Sequence, residues 1–433
     1  MKDGCLDPRL KLMQETDIRN KVVLLRVDHN VVKKGRIKDP YRIESTIGTL
    51  YGIIEMGGRP VLMTHISRPK DKKTGRIVCR ESESVLPVVN YLEQRLPVKI
   101  YVPEFPVDPE KGILHIDKSI YQAIQDLKNG KIGMIYLPNT RWFAGEQSDG
   151  SEREVFAEEL AGLADVFIND AFGSWQPHVS TYDIAKKMPA FAGCLLQKEI
   201  INLNNILLPE RPFVGIIAGS KYDTKIGPLK AMYNRADYLV MGGLIYNAYL
   251  AAKYGVRIAG VSDEDRALAV ELVEMDKKGN KIIEMSHVVE SDSMTARNPE
   301  HVRTLTLDEL KTRERTGYIL DIDPVSFEDQ KVREIIGSFA KTVFVNAVMG
   351  FMPLFFEGSE GLYKLIASNE SALKMFGGGD TLQELKNLCP GIYLKGCDNP
   401  EYYCYFTGGG SVLKAIEQGS PYKLRPVEAL MRN

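Results

Sequence analysis

A chain of 433 residues exceeds one ordinary hydrophobic core and suits two domains of about 200 residues each. With 44% apolar and 26% charged residues the composition is that of a globular protein, and the net charge of −1 excludes an overall field that would draw nucleic acid or an anionic membrane. Any anion site must therefore be built locally. No apolar run approaches the roughly 20 residues of a membrane span. The opening Met1-Lys2-Asp3-Gly4-Cys5-Leu6 lacks the apolar core of a signal peptide, so the expectation is a cytoplasmic protein. The six cysteines have no C-x-x-C spacing and read as free thiols of a reducing compartment. The six histidines form neither H-x-x-x-H nor H-E-x-x-H, which argues against a protein-held zinc ion.

In chain order, the first half repeats one theme. Short β-rich apolar runs at residues 22–27, 60–64, 132–137 and 165–168 each end in polar residues. Those endings are Asp28-His29-Asn30, His65-Ile66-Ser67-Arg68, Asn139-Thr140-Arg141 and Asn169-Asp170. Helical patterns at 43–56, 81–95, 119–127 and 152–163 lie between them. Continuous apolar strands alternating with helices predict an α/β fold with a mainly parallel sheet covered on both faces. Ligands of such sheets gather outside the carboxyl ends of the strands. Here those ends carry Asp28, Asn30, His65, Arg68 and Arg141, with Arg42 opening the first helical pattern. Several arginines with a histidine describe a basic pocket suited to phosphate and carboxylate, which arginine binds bidentately.

A helical stretch at 195–207 runs into Pro209-Glu210-Arg211-Pro212, a domain boundary by composition. The predicted organisation is a first domain over 1–194, a connecting helix over 195–207, a second domain over 208–411 and a returning segment over 412–433. The second half alternates again. Strand candidates at 213–217, 238–241, 281–284, 318–320, 342–346, 373–376 and 402–406 precede, among other turns, Gly219-Ser220-Lys221, Gly242-Gly243, Gly377-Gly378-Gly379-Asp380-Thr381 and Thr407-Gly408-Gly409-Gly410-Ser411. Residues 290–304, rich in Ser, Asp and Asn, read as a surface loop. Glycines between a strand and a helix let backbone approach a ligand, and the free N–H groups of the helix favour an anion there. Four such turns point to a single phosphate-binding crevice.

One half thus offers arginines at strand ends; the other offers glycine turns with Lys221 and Lys225. Neither G-x-x-x-x-G-K-[ST] nor G-x-G-x-x-G nor G-x-S-x-G occurs. The pattern fits phosphoryl transfer, which needs positioning and charge neutralisation more than a nucleophile. Asp380, after three glycines, suits a Mg²⁺ ion carried by ATP or ADP.

These residues resemble the phosphoglycerate kinase family, in motif order over nearly the whole chain. Arg26-Val27-Asp28-His29-Asn30-Val31 is similar to its R-V-D-F-N-V, His65-Ile66-Ser67-Arg68-Pro69 to H-L-G-R-P, and Asn139-Thr140-Arg141-Trp142 to N-L-R-F. Asn169-Asp170-Ala171-Phe172-Gly173 is identical to N-D-A-F-G, and the two triple-glycine motifs match G-G-G-D-T/S and T-G-G-G-A/S. The resemblance implies two Rossmann-like domains joined by a helix and closing over a central cleft. It implies that Asp28, Asn30, Arg42, His65, Arg68 and Arg141 hold the phosphoglycerate. Arg42 and Lys225 would stabilise the transferring phosphoryl group, with Gly409 and Gly410 placing a helix N-terminus there. Gly219, Lys221, Lys225, Gly243, Asn346, Gly378, Gly379, Asp380 and Thr381 would hold the nucleotide, and Asp380 its Mg²⁺. The implied activity is reversible transfer between 1,3-bisphosphoglycerate with ADP and 3-phosphoglycerate with ATP, by a glycolytic, monomeric enzyme with no nucleic acid or membrane partner.

The chain also departs from the family pattern. Ser174-Trp175-Gln176-Pro177-His178 replaces the segment containing H-R-A-H, is one residue shorter and lacks its substrate-binding arginine. W-N-G-P-M-G has become Val345-Asn346-Ala347-Val348-Met349-Gly350, the ribose-holding glutamate aligns with Pro353, and the third glycine of G-G-G-M is Leu244. These changes leave open two alternatives: a paralogous kinase of another carboxylate or acyl phosphate, and a non-catalytic binding protein on the same scaffold.

Overall fold

The structure, a computed structural model, describes residues 5–220 and 225–432. The chain divides into two compact units, one of residues 1–201 with 420–433 and one of residues 202–419. Each is built on a six-stranded, all-parallel sheet.

In the first unit the strands are β1 (Val22–Arg26), β2 (Arg59–Met63), β3 (Ile100–Tyr101), β4 (Met134–Tyr136), β5 (Val166–Asn169) and β6 (Ala190–Ala192). Their order across the sheet is β3-β4-β2-β1-β5-β6. All five residues of β1 are buried because helices cover both faces, so its sequence runs Val-Val-Leu-Leu without alternation. Helix α1 (Tyr41–Glu55) packs Ile43, Leu50 and Ile53 into a core with Val23, Leu25, Leu62 and Ile168. The short strands β3 and β6 extend the sheet beyond the four apolar runs of the sequence.

Helix α2 (Cys194–Leu207) carries the chain from the first unit to the second. The second sheet comprises β7 (Phe213–Gly219), β8 (Tyr238–Gly242), β9 (Ile282–Ile283), β10 (Thr342–Asn346), β11 (Leu373–Gly377) and β12 (Tyr403–Phe406). Its order is β9-β8-β7-β10-β11-β12. The order reverses between β7 and β10, the kind of point outside whose strand ends ligands of such sheets bind. Around the sheet lie α3 (Ile226–Arg235), α4 (Gly243–Tyr254), α5 (Asp263–Gly279), α6 (Glu357–Ser368), α7 (Gly379–Leu388) and α8 (Gly409–Gln418). Ser262 caps α5 at its start, and Asn280, at φ +49°, ends it in the left-handed region.

Two sequence expectations are corrected, the loop over 290–304 and the limit of the second unit at 411. The strand candidate at 318–320 is a strand, but outside the parallel sheet. It belongs to Tyr318–Ile322, the edge of a separate antiparallel sheet with His287–Ser291 and Arg303–Thr306. The stretch read as a loop over 290–304 therefore begins and ends in strand, because buried Glu290 is satisfied by Arg303, Thr316 and the Gly317 N–H. The second unit also runs through α8 to Gly419, beyond the expected limit at 411, because α8 packs on α3.

Candidate functional site

In the first unit the loops after β1, β2 and β4 are bound to one another. Asn139 accepts from the N–H groups of Ile66 (3.0 Å) and Arg141 (3.1 Å) and donates to the carbonyls of Ile66 (2.8 Å) and Glu83 (3.1 Å). Asn30 Oδ1 accepts from Ser67 N at 2.9 Å, and Arg141 Nη1 donates to Ser67 O at 2.5 Å. Ser67 stands at φ +59°, where the family motif has glycine, and is held there from both of its peptide groups. Arg42, on the first turn of α1, donates to Asp28 Oδ2 at 3.2 Å.

The charge balance of this cluster favours an anion. Asp28 neutralises Arg42, but neither Arg68 nor Arg141 has a carboxylate partner among the described residues. Arg68 makes no hydrogen bond there at all, and Arg141 Nε is buried without a partner. Burial, and then the nearby Arg26 and Arg68 working against Glu146, push Arg141 down to about 10, which leaves it cationic at neutral pH. His65 lies nearly buried; burial, Arg141, Arg26 and Arg42 hold it well below the ordinary range, so its ring is neutral. Asp28, Asn30, Arg42, His65 and Arg141 therefore share one connected set of loops, with Arg68 next to Ser67 on the same turn.

In the second unit the residues converge on Asn346, at the carboxyl end of β10. Lys225, just before α3, donates from Nζ to Asn346 Oδ1 at 2.8 Å, and Asn346 Nδ2 donates to Gly377 O at 2.5 Å. A β-carbon at Gly378 would lie 2.8 Å from Asn346 Nδ2, and one at Gly409 would lie 2.6 Å from Gly378 Cα. Gly219 and Gly243 pair across β7 and β8, where a β-carbon on Gly243 would meet Gly219 O at 2.9 Å. These contacts leave no room for side chains. The N-termini of α4, α7 and α8 all stand at the carboxyl ends of strands, with Asp380 and Thr381 on the first turn of α7 and Gly410 on that of α8. The first N–H groups of a helix have no acceptor within the helix, and an edge of this kind suits an anion. Burial lowers Lys225 while Asp380 raises it, which places the carboxylate within electrostatic reach of the amine. Lys221 lies outside the described residues.

The sequence reading did not single out Arg26, Glu146, Ser180 or His178. Arg26 is buried and reaches His65 Nδ1 at 3.0 Å. His178, on the shortened segment after Gly173, contacts Gln147 Nε2 at 3.2 Å; burial, Arg141 and Arg26 lower it against the pull of Glu146. The R-V-D motif contained Arg26, but only its burial shows that it points inward.

Two parallel-sheet units, one ending its strands in guanidinium groups and the other in glycine turns that open helices, are the arrangement of an α/β phosphotransferase. Residues 13–419 match the family described as phosphoglycerate kinase, and the chain belongs to that family. It is 31% identical over 411 residues to a phosphoglycerate kinase of Rubrobacter xylanophilus, covering 94% of this chain and 95% of that one. It is 32% identical over 415 residues to that of Moorella thermoacetica, with 94% and 95% covered. The structure of phosphoglycerate kinase from Coxiella burnetii superposes with a TM-score of 0.70 at 25% identity, covering 98% of this chain and 99% of that one. That from Pyrococcus horikoshii gives the same TM-score at 22% identity and shares the fold.

Proposed function

We propose that this chain is a phosphoglycerate kinase, transferring a phosphoryl group reversibly between 1,3-bisphosphoglycerate with ADP and 3-phosphoglycerate with ATP. The observation that carries it is a family match running through both units, with the cationic groups of each retained. In this reading the first unit holds the acid. Arg68 and Arg141 supply two uncompensated guanidinium groups for its phosphate and carboxylate, and Asp28, Asn30 and His65 fix its orientation. The second unit holds the nucleotide on the N–H groups around Gly219, Gly243, Gly378, Gly379, Thr381 and Asn346, with Lys221 as a further phosphate contact. Lys225 and Arg42 meet the charge that spreads over the transferring oxygens, together with the N–H groups of Gly409 and Gly410.

The donor set fits Mg²⁺ carried by the nucleotide, because that ion takes one or two carboxylates plus phosphate oxygens, and Asp380 presents a carboxylate within reach of the Lys225 charge. Mg²⁺ would neutralise phosphate charge there. The protein's own part is to hold Lys225 straight through Asn346 and to keep the glycine edge open to phosphate.

The test is Mg-ATP-dependent turnover of 3-phosphoglycerate in a coupled assay that removes 1,3-bisphosphoglycerate. Turnover of roughly 1–100 per second or above is expected. A folded, nucleotide-binding protein that fails to turn over this acid would overturn the substrate assignment.

A further inference from the structure

Behind the acid-side loops runs a buried chain of polar groups. Arg26 is 1% exposed and uses all three guanidinium nitrogens: Nε donates to Ser180 Oγ at 2.9 Å, Nη1 to the Val27 carbonyl and Nη2 to His65 Nδ1 at 3.0 Å. Ser180 is clamped in turn by the fully buried Glu146, which accepts from its N–H at 2.9 Å and from its hydroxyl at 2.5 Å. The Glu146 carbonyl also accepts from Val179 N at 3.2 Å. Thus one carboxylate grips the segment that follows the missing arginine and, through Arg26, reaches the histidine of the acid site.

The donor directions are fixed by chemistry. The single Ser180 proton goes to Glu146, so its oxygen is free to accept from Arg26. A guanidinium can only donate, so His65 Nδ1 must be an acceptor and its proton must sit on Nε2. That Nε2–H has no protein partner among the described residues. The charged and titratable groups around the ring are Arg26 on β1, Arg42 on α1, Arg141 and His178, and with burial they keep it neutral.

We propose that Glu146, Ser180 and Arg26 are positioning residues that lock His65 in its Nε2–H form, so that the ring presents one neutral donor to the acid substrate. The kinetic part rests on the reading of the first unit as the acid site; the tautomer does not.

The experiment is a two-bond ¹H–¹⁵N correlation of the full chain labelled at histidine, with the His65 signal assigned by its loss in His65→Asn. Between about pH 5.5 and 8, where free imidazole titrates, His65 is expected to show an unprotonated Nδ1 and no titration. In Glu146→Gln the amide faces the Ser180 hydroxyl with donors instead of acceptors, and Arg26 loses its buried counter-charge. His65 is then expected to leave the single tautomer, and the KM for 3-phosphoglycerate to rise about tenfold, with the KM for ATP and kcat moving less than about twofold. Ser180→Ala removes the bridge alone and is expected to do the same, which covers a failure of the amide variant to fold. A wild-type His65 protonated on Nδ1 or titrating near its free value overturns the proposal. So do folded variants that leave both tautomer and KM unchanged. If 3-phosphoglycerate is not turned over, the spectrum still decides the tautomer, and the two failures stay distinct.

Discussion

Lys225 Nζ and Asn346 Oδ1 meet at 2.8 Å across the point where the strand order of the second sheet reverses. The amine is thereby held by a neutral group, which orients it without consuming its charge. An aspartate in the same place would neutralise it. Lys225→Ala is expected to lower kcat by about 10³-fold or more, in line with the loss of a cation that meets transition-state charge. Because the side chain makes one partly buried hydrogen bond, stability is expected to change by no more than about 1 kcal/mol. Steady-state kinetics with thermal denaturation on the same sample separate the two. Near-normal turnover in the folded variant would remove Lys225 from the chemistry.

The glycine edge is a steric requirement, and it can be tested against a control in the same unit. Gly378 stands at φ +114°, and a β-carbon there would also press on Asn346 Nδ2 at 2.8 Å. Gly378→Ala is expected to cost about 1–3 kcal/mol of stability from backbone strain and to weaken nucleotide binding by displacing Asn346. Gly391→Ala, with nothing within 4 Å, is expected to be neutral or stabilising and to leave nucleotide affinity unchanged. Titration calorimetry with Mg-ATP on both variants checks this. Equal affinities would mean that the tight approach at Gly378 serves packing alone.

Arg68 offers the cleanest separation of binding from folding on the acid side. It makes no hydrogen bond or ion pair among the described residues, so removing it breaks nothing internal. Arg68→Ala is expected to raise the KM for 3-phosphoglycerate by about 10–100-fold, the value of a charge-assisted contact, with stability moving by less than about 0.5 kcal/mol. The KM for ATP is expected to stay unchanged. A parallel rise in both constants would place the arginine outside a dedicated acid site.

The nucleoside side carries substituents that the family pattern lacks. Leu244 follows Gly243 on the first turn of α4, and Ala347 and Val348 stand where W-N-G-P-M-G has glycine and proline. Pro353 aligns with the family's ribose-holding glutamate, so a polar contact to the nucleoside is expected to give way to an apolar wall. Relaxed base selection is expected, with kcat/KM for ATP, GTP and ITP within about tenfold of one another. Competition assays check it, and strict preference for ATP would show that the wall still reads the base.

Much of this was legible in the sequence because the strands are short apolar runs that end abruptly in polar residues. Asp28, His65, Asn139 and Asn346 are where those endings put them. The inward turn of Arg26 was not legible. All of β1 is buried on both faces, so no alternation marks which way its side chains point, and an arginine inside the run at 22–27 gives no sign of its partners. Glu146 and Ser180 belong to no local motif and lie 34 residues apart, so only the folded chain brings their hydrogen bond into view. The edge strands β3 and β6, with two and three residues, are too short to leave a periodic signal.

His29 stands where the family motif has phenylalanine, and its burial makes stability depend on pH. Thr46 Oγ1 donates to Ile43 O at 2.8 Å, so it accepts from His29 Nε2–H at 2.9 Å, and His29 Nδ1 accepts from Tyr136 OH at 2.9 Å. The neutral ring is satisfied at both nitrogens. Burial, with Arg26 and Arg42, lowers its pKa to about 3. Between that value and the ordinary 6.5, the unfolded chain binds a proton that the folded chain does not. Stability is therefore fully present above pH 6.5 and falls below it, by up to about 1.4 kcal/mol per pH unit from this group. His65, also held low, adds to the slope in the same direction. His29→Phe leaves the buried hydroxyl of Tyr136 without its acceptor and that of Thr46 without its donor, so at neutral pH it is expected to be less stable by about 1–3 kcal/mol. Its stability is then expected to fall less steeply on acidification, and the gap to wild type to narrow toward about pH 4.5. Urea denaturation of both proteins between about pH 4.5 and 7.5 measures the slopes directly. Parallel slopes would mean that His29 takes up its proton without unfolding, with the Tyr136 oxygen turning to accept.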